Sequence, residues 1–274
     1  MKTQRKYRWL IHLVLILLSF FTLGPFLWMV ITSFKTFDES IRIPMTWLPE
    51  VWQTANYVEV WHKFPFFRFY FNTFFVMAVV VVGQLLICSL AAYAFARLQF
   101  PGRNAIFLFC LSLMMVPGQI FTIPHYEIMV KMHLVDTVTA LWLPKLFSVF
   151  GVFMLRQFFL TLPRELDEAA KIDGAGYLRI YGQILLPLIK PALISLAILT
   201  ALTTWKDLMW PLIINSSYDK LTLSAGLGLL IGEHTTYYPL VMAAAVLALW
   251  PMLVLFFLLQ KHFIQGIALT GTKA

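Results

Sequence analysis

Six long apolar runs divide the chain: Trp9 to Ser33, Phe69 to Phe95, Ala105 to Ile123, Thr139 to Phe159, Ala192 to Ile214 and Tyr238 to Leu259. A helix needs about 20 apolar residues to cross the hydrocarbon of a bilayer, and the runs meet that length. Backbone groups in hydrocarbon must be satisfied internally, so only helices and closed barrels span it. No barrel-like alternation over about ten residues is present. The expected fold is therefore all-α, a polytopic membrane bundle of about six transmembrane helices.

Composition agrees. With 274 residues, 60% hydrophobic and only 12% charged, the chain lacks the polar surface to coat a water-soluble globule, and its mean hydropathy is +0.79. The net charge of +8 does not indicate nucleic acid, because the basic residues lie in segments between spans rather than on one polar face. Cys88 and Cys110 sit inside apolar stretches away from metal-ligand spacing, and read as core or helix-packing residues. Lys2, Arg5, Lys6 and Arg8 precede the first run as in a signal peptide. That run is longer than an h-region of about 7 to 15 residues and no small-x-small site follows, so it is expected to remain as an anchor.

Basic residues also set an orientation. The N-terminal tail, the turn with Arg97 and Arg103, the segment holding Arg156, Arg164, Lys171, Arg179 and Lys190, and the tail with Lys261 and Lys273 fall on one side, expected to be the cytoplasm. In the opposite loops acids match the bases: Asp38, Glu39, Glu50 and Glu59 against Lys35, Arg42, Lys63 and Arg68. Both termini are then cytoplasmic. The expected organisation is a tail, first helix and long extracytoplasmic loop over 1–68, a core transmembrane domain over 69–262, and a C-terminal tail over 263–274. No linker rich in Ser or Gly and no convincing internal repeat interrupts it.

The cytoplasmic loop 160–190 contains Leu162-Pro163-Arg164-Glu165-Leu166-Asp167-Glu168-Ala169-Ala170-Lys171-Ile172-Asp173-Gly174. Pro163 suits a first helical turn, Glu165 suits the positive end of the helix dipole, and Gly174 suits the stop, where a positive φ is expected. At 100° per residue Leu162, Leu166, Ala169 and Ala170 share one face, and Arg164, Asp167, Glu168 and Lys171 the other. Periodicity alone leaves two readings open: an amphipathic helix resting on the bilayer, or a shallow small-residue face that docks on a partner.

Beyond the helix, Glu168-Ala169-Ala170, Gly174, Ile184, Leu186 and Pro187 resemble the EAA signature of ABC importer permeases, EAA-x3-G-x9-I-x-LP, at every defined position. The flanks resemble the carbohydrate-uptake branch typified by the second permease subunit of maltose-type systems: Asn72-Thr73, Ala91 to Arg97, Phe100-Pro101-Gly102-Arg103, Met115-Val116-Pro117, Trp205-Lys206-Asp207 and Trp210-Pro211-Leu212. The likeness covers nearly the whole chain and departs at its end, Gly271-Thr272-Lys273, where relatives often carry Gly-x-Val-Lys.

The resemblance implies a type I ABC importer transmembrane domain in a bacterial cell (inner) membrane, carrying a sugar or sugar-like solute delivered by an extracytoplasmic solute-binding protein. It further implies a second, non-identical permease subunit and two ATP-binding subunits that use ATP and Mg; this chain binds no cofactor itself. Glu168, Ala169, Ala170, Gly174, Ile184, Leu186 and Pro187 would couple to the ATPase. An importer of a non-sugar solute and an ion-coupled carrier are the alternatives.

Catalytic chemistry is not expected. Gly266 to Gly271 with Thr272-Lys273 has the wrong order for a nucleotide-binding loop, and no HExxH or GxSxG element places any of the six His residues in a hydrolytic site. Lys206 and Asp207 stand out as ionisable groups in the fifth run, between Trp205 and Trp210. They are either a mutual ion pair near the outer interface or, with the two tryptophans, candidates for the cargo path. The 16% aromatic content suits sugar stacking, but interfacial belts account for most of it.

Overall fold

The computed structural model describes residues 8–231 and 236–271, and their side chains except at 8, 10 and 258–271. The basic tails at Lys2, Arg5, Lys6 and Lys273 and the loop residues Glu233 and His234 lie outside the described residues, as do the side chains of Arg8, Gln260, Lys261 and His262. Among the described residues every regular element is helical. The principal helices are α1 (Arg8–Ser33), α2 (Phe66–Arg97), α3 (Arg103–Ser112), α4 (Thr122–Lys131), α5 (Val149–Thr161), α6 (Glu165–Ile172), α7 (Lys190–Trp205) and α8 (Tyr238–Gly271).

Three helical stretches are long and apolar enough to cross a membrane unbroken: Ile11–Ser33, Phe66–Arg97 and Tyr238–Phe257. Three more candidates are bent pairs, Arg103–Met115 with Gly118–Lys131 at 99°, Val138–Lys145 with Val149–Thr161 at 42°, and Tyr177–Leu188 with Lys190–Trp205 at 79°. The expected six spans are reached when each pair counts as one. Two expected spans differ in course. The third breaks at Val116-Pro117, where proline cannot donate the ladder hydrogen bond and disfavours helix in the residue before it. The fifth stops at Trp205 and resumes only as the short helix Met209–Ile214.

The chain forms two compact units, Met1–Phe66 with Leu227–Pro251, and Phe67–Gly226 with Met252–Ala274. In the first, the long loop is tied by polar groups. Lys35, fully buried, donates to the Thr46 carbonyl and lies 4.3 Å over the Trp28 ring. Burial lowers its pKa, against the opposing pull of Glu39. Glu39 closes a capping box with Thr36 and accepts from the Glu50 amide at 2.9 Å. Burial pushes its carboxyl up, but the amides of Thr36, Glu50 and Val51 and the Thr36 hydroxyl prevail, so its pKa is lowered. The expected matching of loop charges is visible as Arg42–Glu50 at 2.7 Å and Lys63–Glu59 at 2.5 Å.

The second unit packs α2, α5 and α7 around small residues. Ala92, Ala96 and Ala192 are buried, and Gly151 sits so close that an added Cβ would meet Cys88 Sγ at 3.2 Å and Leu196 at 3.3 Å. Cys88 is a free, fully buried thiol in this core, donating to the Ser148 carbonyl. Asn72 and Thr73 of α2 hold the segment 219–223: Asn72 Nδ2 donates to the carbonyls of Asp219 (2.8 Å) and Leu221 (2.9 Å), and Thr73 Oγ1 accepts from the Leu223 amide at 2.8 Å.

Candidate functional site: a loop helix and a cavity at the helix breaks

Two places in the second unit gather the candidate residues. The first is α6. Its N-terminal turn carries Glu165, Asp167 and Glu168, favourable at the positive end of the helix dipole, and Lys171 occupies the last turn. Arg164 is the cap residue, so Pro163 lies just before the helix rather than within its first turn. The helix stops in a Schellman arrangement: the Gly174 amide donates to the Lys171 carbonyl (3.0 Å) and the Ala175 amide to the Ala170 carbonyl (2.9 Å). Gly174 has the expected positive φ, +78°.

The faces of α6 depart from the periodicity reading. Leu162, Leu166 and Ala170 turn onto the core shared by α2 and α5, but Ala169 is exposed beside Glu165 and Glu168. The two alanines therefore do not form one docking surface. Asp167 also turns inward, to Arg97 at the end of α2, with Asp167 Oδ2 and Arg97 Nη1 3.2 Å apart. Arg97 Nη2 further donates to the Leu162 carbonyl at 2.8 Å, and Tyr93 Oη to the Tyr177 carbonyl at 3.2 Å. No ion pair joins Glu168 to Arg164 among the described residues; both border a cleft of ≈ 520 Å³ with Lys171.

After Gly174 the chain passes into a π-helical turn, Ile180–Leu185, a geometry concentrated at functional sites. Ile184 and Leu186 are partly buried against the core of α2 and α5, and exposed Pro187 immediately precedes the 79° bend. Ile172 (87% exposed), one turn after Glu168 and Ala169, leaves a large apolar side chain uncovered, as does Leu178 (76%) beyond the Gly174 turn.

The second place is a cavity of ≈ 750 Å³ onto which the breaks near Pro117, Lys145 and Trp205 open, with lining from Gly118, Lys145, Ser148 and Lys206 to Trp210. Broken helices at membrane depth are tolerated where they line a cavity. The expected unbroken course of the third and fifth spans is thus corrected. So is the pairing: Asp207 binds Lys145, 62 residues away, not its neighbour Lys206. Asp207 Oδ1 also accepts from the Trp210 amide, and Trp210 Nε1 donates to the Ala140 carbonyl at 2.8 Å.

Of the four path candidates, Lys206, Asp207 and Trp210 line the cavity; Trp205 does not, being packed edge-on against Phe74 with its carbonyl bound by Ser224. Gln84 and His125 also line it and escaped the sequence reading. Gln84 spans the wall, donating to the Lys145 carbonyl (2.7 Å) and accepting from Thr200 Oγ1 (2.8 Å). The available signal was proline within apolar runs, at Pro117 and Pro144, which marks breaks and hence the residues around them.

Residues 84–269 match the family described as binding-protein-dependent transport system inner membrane component. The chain is 34% identical to the arabinooligosaccharides transport system permease protein AraQ of Halalkalibacterium halodurans, over 99% of each. It is 33% identical to the sn-glycerol-3-phosphate transport system permease protein UgpE of Yersinia enterocolitica, over 93% of this chain and 94% of that one. Among solved structures, a chain of a bacterial ABC transporter importing the acidic polysaccharide alginate superposes with a TM-score of 0.85 at 22% identity, covering 96% of this chain and 98% of that one, which shows the fold.

Proposed function

Because the chain belongs to the family of binding-protein-dependent transport system inner membrane components, we propose that α6 is its contact with an ATPase and that the cavity at the helix breaks is its share of the cargo path. The chain is a multi-pass permease subunit of an ABC importer and not an enzyme. The cargo is a sugar or sugar-like solute, handed over by an extracytoplasmic binding protein. ATP and Mg belong to two separate ATPase subunits, and a second permease completes the path. The N-terminal tail and loop 160–190 face the cytoplasm.

One observation carries this reading: α6 is locked to its own bundle by Leu166, Ala170 and the Arg97–Asp167 pair, yet presents Glu168, Ala169 and Ile172 outward. A surface helix with one face anchored and an exposed mixed strip suits docking into a groove on another protein. Closure of the ATPase pair would displace α6, and the displacement would pass through Arg97 to α2. Gln84 lies 13 residues before Arg97 on that unbroken helix, roughly 20 Å at the rise of an α-helix, and it holds the cavity wall through the Lys145 carbonyl and Thr200. Movement of α2 would therefore reshape the cavity.

The test is ATP-driven uptake by the complete complex in proteoliposomes, combined with a cysteine at Ala169. Crosslinking of Ala169→Cys to an ATPase subunit, with uptake dependent on ATP and binding protein, is the expected result. Absence of any crosslink together with normal uptake would remove α6 from the interface.

A further inference from the structure

The ionisable groups of the cavity do not cancel. Lys145 and Lys206 bring two ammonium groups and Asp207 one carboxylate, and Asp207 is engaged by Lys145. Among the described residues no carboxylate lies within ion-pairing distance of Lys206, although it lines the cavity and is exposed. His125 stands on the same lining and can only add positive charge. The Asp207 carboxylate is further occupied by the Trp210 amide, and the Gln84 amide by the Lys145 carbonyl and Thr200, so neither is free to turn toward Lys206.

From this arrangement we infer that the cavity selects a cargo bearing an anionic group, a carboxylate or a phosphate, which Lys206 meets as it passes. The inference rests on the cavity being part of the cargo path. Uncompensated Lys or Arg in a confined path favours anions, because the charge acts with little water to screen it. A single lysine suits transit: an ammonium is a compact donor that binds an oxyanion without the bidentate grip of arginine, so the cargo can leave. Aromatic and hydroxyl groups on the same lining, Trp210, Thr203 and Thr122, serve the uncharged part of a sugar.

A rival role for Lys206 is purely structural. It caps the C-terminus of α7, where a positive charge interacts favourably with the helix dipole. That role predicts a loss of stability on neutralisation and no preference among cargoes.

The deciding experiment uses the complete complex with its binding protein in proteoliposomes, and three probes of similar size: a neutral trisaccharide, a uronate-containing trisaccharide and a phosphorylated sugar. Wild type is expected to import at least one anionic probe about tenfold faster than the neutral one, the discrimination available from one charge-assisted contact. Lys206→Gln should lose that preference, and Lys206→Arg should keep it. Preferred import of the neutral probe, or an unchanged anionic preference in Lys206→Gln, overturns the inference and leaves the permease reading intact. If no probe moves with ATP, the cargo reading itself falls, and this inference with it. Where Lys206→Gln fails to assemble, Lys206→Met takes its place, and loss or persistence of the anionic preference in that variant decides the matter in the same way.

Discussion

Arg97 Nη1 lies 3.2 Å from Asp167 Oδ2, and the two side chains are only 6% and 14% exposed. This pair joins the last residue of α2 to the first turn of α6, so the loop helix cannot move without moving α2 or breaking a buried ion pair. Loss of one partner from such a pair leaves the other charge uncompensated, which costs on the order of 3 kcal/mol. The pair therefore holds the loop as a rigid extension of the bundle.

Asp167→Asn is expected to separate ATP use from transport. The complex should still assemble through the outward strip of α6, but uptake per ATP hydrolysed should fall several-fold because α6 no longer carries α2 with it. The ratio of uptake to hydrolysis in proteoliposomes measures this. A wild-type ratio would show that force reaches α2 by another route.

Glu168 makes no ion pair within the described chain, and Ala169 is exposed beside it. Glu168→Ala and Ala169→Trp should therefore each change the thermal stability of the isolated chain by no more than about 0.5 kcal/mol, the usual range for surface substitutions. Recovery of the ATPase with the affinity-purified permease should drop in both. Ordinary recovery in both would place the ATPase contact elsewhere.

Gly174 has φ +78°, and an added Cβ would meet nothing within 4 Å. The cost of substitution is then backbone strain alone, roughly 1 to 2 kcal/mol for a residue with a Cβ and more for a branched one. Gly174→Val should disrupt the Schellman turn and redirect the loop toward Tyr177, whereas Gly174→Asn, which tolerates positive φ, should assemble nearly as well as wild type. Complex recovery from the two variants compares them directly; equal losses would point to a steric rather than a conformational requirement.

Asp136 ties two loops outside the spans: it accepts from Ser217 Oγ and from the amides of Ser217 (2.9 Å) and Ser216 (3.0 Å), with Lys220 Nζ at 3.2 Å. The Ser217 hydroxyl and amide, followed by Lys220 and the Ser216 amide, hold its carboxyl far below the ordinary carboxylate range despite the upward pull of burial. A depressed folded pKa contributes stability above the unfolded value and loses it as pH falls through the folded one. Protease resistance of the 214–221 segment should thus be flat between about pH 5 and 8 and decline only in strong acid. Asp136→Ala should be cleaved readily throughout, and a transition near neutrality in wild type would contradict the assignment.

Much of this protein was legible along the chain. The apolar runs from Trp9 to Ser33, Phe69 to Phe95 and Tyr238 onward correspond to unbroken helices, because continuous apolar length is a local property and hydrocarbon demands helix of it. Gly174 was legible for the same reason: a helix stop at positive φ is written in one residue type. Pro117 announced a break, though the pull of a 19-residue apolar run concealed it.

What the chain could not disclose was choice of partner. Periodicity placed Ala169 with Ala170 and Asp167 with Glu168, but packing against α2 rotated α6 so that Asp167 and Ala170 turned in and the other two turned out. Proximity made Lys206 the natural partner of Asp207, yet the break after Trp205 brought Asp207 to Lys145 instead. Apolar length and turn chemistry are settled within a few residues by solvation and backbone sterics. Which cation Asp207 and Asp167 meet is settled only when segments 60 or more residues apart are packed together, because an ion pair depends on distance in space and not along the chain.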